Sequence, residues 1–294
     1  MAYVDIPDGP NCFKRVIVPD DDPRLAKPRM SFDQLAARRR SCGELKAQGL
    51  PCPDEEAAKA MRVRKRAVRW SVGVTSCAER CGGVLQTTLA SLANAGFGSP
   101  VVFVDGRCEQ MPGVVGRGER IGPYGNFLLA LAELTIRGIR NPDGPADFVA
   151  VFQDDLLASR NLRQYLEKCD YPEHGYWNLI TELDNEEPAR KARGWFQTRL
   201  GRGAVGLVFS REVAIKLLSA RHTWDRMHDP NRGWRLIDGG VWEALHHCVP
   251  PVEEWCHSPS LVQHVGDDST IKVQTYPKAM TFRGEDFDCL SLLG

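Results

Sequence analysis

One stretch limits what this chain can become: Asp147-Phe148-Val149-Ala150-Val151-Phe152-Gln153-Asp154-Asp155-Leu156-Leu157. Phe148 to Phe152 is an unbroken apolar run preceded by the turn residues Asn141, Pro142, Asp143 and Gly144. That pattern predicts a strand buried on both faces of a largely parallel sheet. The run ends abruptly at Gln153, Asp154 and Asp155. Ligands of open α/β sheets bind beyond the carboxyl ends of the strands. Two adjacent carboxylates repel each other there unless a cation or a donor-rich ligand lies between them. Strand alternation would point Gln153 and Asp155 one way and Asp154 the other. The acids also have a structural reading, as the start of the next turn.

The 294 residues suffice for one large α/β domain, or for one domain with an appendage. With 43% hydrophobic residues the chain has material for a core. Lys+Arg and Asp+Glu both number 38, so net charge points to neither nucleic acid nor membrane. No apolar run approaches the roughly 20 residues of a membrane span, and Met1 to Pro10 lacks the apolar core of a signal peptide. The ten cysteines include no CxxC pair, and the spacing of Cys42, Cys52, Cys77 and Cys81 suits zinc poorly. The expectation is a protein of the reducing cytoplasm.

Residues 1–66 read as an N-terminal extension, broken by prolines 7, 10, 19, 23, 28, 51 and 53. Ser31 caps a predicted short helix, and a second runs from Asp54 towards Arg66. The latter carries the basic run Lys59, Arg62, Arg64, Lys65, Arg66 and Arg69, with no acid among them. This is either a contact for phosphate-rich partners or a solvated face. A core domain, 67–275, opens with the strand Ser71-Val72-Gly73-Val74-Thr75-Ser76. Positions 84, 85, 88, 89 and 92 then follow a helical period that ends before Gly96. Val101 to Asp105 is a second strand with a carboxylate at its carboxyl end. Asn126 is the expected cap of a helix from Phe127 to Ile139. The order is βαβαβ, a mononucleotide-binding arrangement.

Val72-Gly73-Val74-Thr75, Arg80, Leu89-Ala90-Ser91-Leu92, Phe103-Val104-Asp105-Gly106 and Gln153-Asp154-Asp155 resemble GT-A glycosyltransferases. That family carries an Asp-x-Asp or Glu-Asp-Asp signature after such a strand; here Gln153 stands at the first position. The resemblance implies a Rossmann-like, mostly parallel sheet flanked by helices and a nucleotide-diphosphate sugar as donor, most readily a UDP-sugar. It further implies that Asp155 binds Mn²⁺ or Mg²⁺ on the diphosphate and that Asp154 reaches the ribose. Thr75, Arg80, Asp105, Asn126 and Gln153 fall on the nucleotide side.

In the second half, Ser159 is read as the cap of a short helix, Tyr176 to Thr181 as a strand, and Glu182 to Arg202 as a long polar loop of lid type. Trp195 in that loop either stacks on a sugar or anchors the loop to the core. Gly201-Arg202-Gly203-Ala204-Val205-Gly206 is literally G-x-G-x-x-G, the alternative of a nicotinamide-dependent oxidoreductase. A dinucleotide fingerprint joins the first strand to its helix, whereas here Leu207 to Ser210 continues as strand. In the transferase reading, Gly203 and Trp195 line the acceptor side. Asp238 starts a helix, where Asp is also a favoured cap; in inverting members of the family an acid so placed is the general base. Ser258-Pro259-Ser260-Leu261-Val262-Gln263-His264-Val265-Gly266 resembles a segment of the N-acetylglucosaminyltransferase IV family, which implies His264 as metal ligand or diphosphate contact. The resemblance spans roughly 70–270, and 276–294 reads as a C-terminal tail.

The expectation is thus a metal-dependent, inverting glycosyltransferase without a membrane span. Its acceptor is a glycan or a modified base in DNA. A non-catalytic nucleic-acid-binding protein using the basic run is the competing class.

Overall fold

The computed structural model describes residues 2–7, 13–18, 67–107, 113–172, 175–198, 201–228, 236–265 and 278–293. The chain divides into two compact units, Met1–Arg66 and Ala67–Gly294. In the first, β1 (Ala2–Pro7) and β2 (Phe13–Val18) pair antiparallel, with Ala2 opposite Val18. The helices expected after Ser31 and from Asp54, and the basic run up to Arg66, lie outside the described residues.

The second unit is a mixed α/β, Rossmann-like fold. Its first half is β3 (Trp70–Cys77), α1 (Val84–Asn94), β4 (Val101–Asp105), β5 (Val114–Gly116), α2 (Gly122–Ile139) and β6 (Phe148–Gln153). There follow β7 (Leu156–Ala158), α3 (Leu162–Lys168), β8 (Tyr176–Asn178), α4 (Glu186–Lys191), β9 (Gly194–Thr198) and β10 (Gly206–Ser210). The chain continues through α5 (Arg211–Ser219), α6 (Arg221–His228), α7 (Ile237–His246), β11 (Glu254–Ser258) and β12 (Val262–His264). The eight-stranded sheet has the order β5-β4-β3-β6-β10-β8-β11-β9. Only β10 and β9 run against the other strands.

The apolar run of β6 is central because both of its faces are covered. Phe148, Ala150 and Phe152 pack with Leu85 and Leu92 of α1 and Leu162 and Leu166 of α3. Val149 and Val151 face Phe127, Leu131 and Leu134 of α2. Period-two alternation therefore divides one apolar strand between two cores. A side chain such as Phe152, fully buried, contributes about 2–3 kcal/mol by leaving water.

Several boundaries differ from expectation, each for a local reason. Helix α2 begins at Gly122, four residues before Asn126, because Asp105 caps it from a distance: its Oδ1 and Oδ2 accept the N–H groups of Ile121 (2.8 Å) and Gly122 (3.1 Å). Pro123, in the first turn, has no N–H to satisfy. Ser159 does not cap α3; it is buried, with Oγ donated to Gly284 O at 3.1 Å, and the helix starts after Asn161. The stretch 182–202, expected as a loop, contains α4 and the edge strand β9. Residues 278–293, within the expected tail, pack on this unit: Cys289 is fully buried and Arg160 bridges to Asp288.

Candidate functional site

Strand β6 stops at Gln153 because the chain turns there. Gln153 donates Nε2 to Ala204 O (3.0 Å), and its N–H goes to Val205 O (2.8 Å). The turn Asp154–Asp155 is fixed from below by Thr88 of α1. Its Oγ1 lies 2.7 and 3.0 Å from the carbonyls of Asp154 and Leu156 and accepts Leu156 N–H at 3.1 Å. The alternation expected through Asp155 therefore breaks, and the two carboxylates converge instead of diverging. Arg80, in the 3-10 turn after β3, reaches both through Nη1: 2.9 Å to Asp154 Oδ1 and 2.7 Å to Asp155 Oδ2. Ser76 at the end of β3 donates Oγ to Asp154 Oδ2 at 2.6 Å.

The short sheet β7–β12 delivers the histidine. Leu156 pairs with His264, and Val265 N–H binds Asp155 O at 2.8 Å, so His264 must stand beside Asp155. His264 Nδ1 is 3.6 Å from Asp155 Oδ1, a buried oxygen with no hydrogen bond among the described residues. That separation suits two ligands of one ion lying about 2.1 Å from each. Among the described residues no three His, Cys, Asp or Glu side chains form a complete cage. A cation here would take its remaining ligands from substrate, as Mg²⁺ sites commonly do.

Burial governs the titrations. It pushes Asp154 up, and the charge of Asp155 adds to this, while Ser76 and Arg80 oppose it. Burial alone would lower Arg80, but the charges of Asp155 and Asp154 outweigh it and hold the guanidinium firmly protonated. Burial lowers His264 against the opposing pull of Asp155, which favours the neutral, metal-binding imidazole. Cys77 is pushed up to about 11 by burial and by Asp154, so it is a protonated thiol.

Other residues expected on the nucleotide side turn out to be fastened to the backbone. Thr75 donates Oγ1 to Phe152 O at 3.2 Å. Asn126 donates Nδ2 to Phe103 O (2.9 Å) and accepts Arg117 Nε–H (2.9 Å), tying β4 to α2. Both oxygens of Asp105 serve the start of α2. Each of these three side chains is thus hydrogen-bonded to the protein's own backbone.

A second acidic group lies round Gly201–Gly203. Asp238, in the first turn of α7, accepts Gly203 N–H at Oδ2 (3.0 Å) and Gly239 N–H at Oδ1 (2.9 Å). Glu254 accepts Gly201 N–H (3.0 Å) and Asn178 Nδ2–H (3.0 Å). Glu182 is 5% exposed, and its Oε2 has no hydrogen-bond partner among the described residues. A Cβ on Gly203 would stand 2.8 Å from Glu182 Oε1, and Gly203 has φ +78, so side-chain absence and left-handed backbone are both required. The G-x-G-x-x-G pattern is thus accounted for by acids packed against the chain, and Gly206 opens a strand, not a helix. Burial, then the charge of Asp238, pushes Glu182 up to about 7. Burial also raises Glu254 to about 7, against the hydrogen bonds from Asn178, Gly201 and Tyr176. Trp195 is not at this cluster; its ring packs against Trp177 (5.5 Å) and His257 (4.9 Å).

Sequence reasoning passed over Ser76, Thr88, Glu182 and Glu254. Glu182 carried a usable signal, an acid ending the expected strand Tyr176 to Thr181, the same rule that singled out Asp155. Thr88 carried none, because a threonine on a helix face looks like any other.

No protein-family model matches the chain, and no curated protein matches it. Among solved structures it is similar to one from Bacillus anthracis, assigned as a glucose-1-phosphate thymidylyltransferase and solved with sucrose, with 13% identity and a TM-score of 0.29. The match covers 55% of this chain and 78% of that one. Among the described residues no helix is long and apolar enough to cross a membrane.

Proposed function

We propose that the chain is a GT-A-type glycosyltransferase that moves a sugar from a nucleotide-diphosphate donor to an acceptor hydroxyl with inversion. The observation that carries this reading is the converging Asp154–Asp155 turn at the carboxyl end of a doubly buried strand, faced by Arg80 and His264. The segment 258–266 that resembles the N-acetylglucosaminyltransferase IV family is the one that brings His264 there. Asp155 Oδ1 and His264 Nδ1 would hold Mn²⁺ or Mg²⁺; when bound, the ion supplies positive charge to the departing diphosphate. Arg80 would add a fixed cation for the same phosphates, and Asp154, by the family resemblance, would reach the ribose hydroxyls.

The acceptor side is the Glu182–Asp238 pair across Gly203. The acceptor hydroxyl attacks the anomeric carbon, and the bond from that carbon to the diphosphate oxygen breaks. The electron pair leaves with the diphosphate, and the hydroxyl proton passes to the pair. Glu182 is the member whose buried Oε2 has no hydrogen-bond partner among the described residues, and a base titrating near 7 matches neutral operation. Asp238 holds the glycine loop and tunes Glu182 by its charge.

Thermal unfolding with UDP- and GDP-sugars, each with and without Mn²⁺, tests the reading. A donor at 100 times its Kd should add about 2.7 kcal/mol of stability. Asp155→Asn should remove the Mn²⁺-dependent part of that shift and donor turnover while the fold persists. Failure of every nucleotide sugar to shift the parent, or an unchanged Mn²⁺ dependence in Asp155→Asn, would overturn it.

A further inference from the structure

A cavity of about 710 Å³ opens at the carboxyl end of β11, and no residue of the two acidic groups described above lines it. Three arginines line it from separate elements: Arg190 on α4, Arg193 before β9, and Arg283 in the C-terminal segment. Among the described residues none of the three forms an ion pair, and all are exposed. Arg283 is steadied by its stacking over Phe287, 4.9 Å from the ring centroid.

The lining beneath them contributes no charge. His257 Nδ1 is 2.7 Å from Pro259 O, which can only accept, so Nδ1 carries the hydrogen. Nε2 is then the acceptor for the Tyr165 hydroxyl at 2.7 Å. Ser258 is likewise spoken for, with Oγ donated to Ala189 O at 2.6 Å. The cavity therefore offers three planar cationic forks above a neutral, hydrogen-bonded floor. Guanidinium forks match phosphate oxygens in pairs, and the volume exceeds what one inorganic phosphate fills. Strand β11 runs in the direction of β6 and lies three positions along the sheet. Its carboxyl end is thus on the same edge as Asp155, offset by about 14 Å at ordinary strand spacing.

We propose that this cavity is a phosphate-binding site that holds a phosphate ester of the acceptor. The assignment to the acceptor rests on the transferase reading; the phosphate site itself does not. The probes are inorganic phosphate, a hexose phosphate and a single-stranded oligonucleotide, each titrated into the full chain by calorimetry at several salt concentrations. At least one should bind saturably, and the probe that binds identifies the source of the phosphate. Joint replacement Arg190→Gln, Arg193→Gln and Arg283→Gln should weaken it by at least ~10-fold, the scale of removing charge-assisted hydrogen bonds. For the oligonucleotide the logarithmic salt slope should also flatten by about 0.7 for each phosphate left without its arginine. Arg→Lys at the same positions keeps the charge but removes the forks, and should retain only part of the affinity. Affinity for the oligonucleotide should stay constant between pH 6 and 8, since no group of the lining changes charge there. Asp155→Asn should leave phosphate binding intact while removing the Mn²⁺-dependent part of the donor shift, which separates the two sites. Absence of binding by all three probes, an unchanged affinity in the triple variant, or loss of phosphate binding in Asp155→Asn would each overturn the proposal.

Discussion

The two acidic groups of this fold handle the same difficulty in opposite ways. At the end of β6, Asp154 and Asp155 are 4% and 2% exposed, and a guanidinium lies against both. Round Gly203, Glu182 and Glu254 are as deeply buried, at 5% and 1%, yet Arg202 beside them is half exposed and bridges to Asp184, so its charge lowers Glu182 less than burial raises it. The first pair is balanced by a cation, the second by retaining protons to about pH 7. Burial raises carboxyl groups in both places; what differs is the compensating charge. A site balanced by a cation is suited to meet phosphates. One balanced by protons is suited to receive a proton.

The largest effect should come from breaking the first balance. Arg80→Met leaves two buried carboxylates without their cation, and removing one partner of a buried pair costs about 3–5 kcal/mol. Chemical denaturation would measure the loss. If the carboxylates can accept a metal in its place, Mn²⁺ should restore more stability to Arg80→Met than it adds to the parent. Absence of any Mn²⁺ effect on either protein would mean that the group is a structural ion pair only.

Breaking the second balance should leave the fold intact and act on rate and pH dependence. Glu182→Gln keeps the shape of the protonated acid but cannot take a proton, so transfer should slow by ~10²-fold, the usual scale for a lost general base. The stability of the parent carries the matching signature. An acid whose folded pKa, about 7, exceeds its ordinary value of 4.5 contributes stability that is complete below pH 4.5 and lost as pH rises through 7. The share of Glu182 is on the order of 3 kcal/mol, and it should vanish from the pH–stability curve of Glu182→Gln while that of Glu254 remains. A parallel curve in parent and variant would show that Glu182 is ionised well below neutrality.

How much of this was legible in the sequence follows the range of the interactions. The strand Phe148–Gln153 and its acidic end were readable because a doubly buried strand is apolar at every position. The βαβ order followed from periods of two and 3.6. Long-range closure was not readable: the cap that Asp105 supplies to α2 spans 16 positions, and the clamp from Thr88 to Asp154 spans 66. Neither leaves a local pattern. The same holds for the backbone hydrogen bonds of Thr75 and Asn126, which also join distant positions. His264 was reached from the sequence only through a family resemblance, since its pairing with Leu156 is an event of the tertiary fold.

Asp238 should give the smallest effect and the sharpest distinction. Its charge stands second after burial among the causes that raise Glu182. Asp238→Asn removes that charge and can still accept Gly203 N–H through its amide oxygen, so the loop should hold. Glu182 should then lose its proton more readily, and the limb of the pH–rate profile near 7 should move to lower pH. The maximal rate should change much less than in Glu182→Gln, because the proton acceptor is still present. If Asp238 were itself the base, the order would reverse: Asp238→Asn would lose ~10²-fold at every pH and Glu182→Gln would lose little. The pair of pH–rate profiles decides between the two assignments. Under the inverting proposal the product should carry the anomeric configuration opposite to that of the donor, and retention would overturn both assignments.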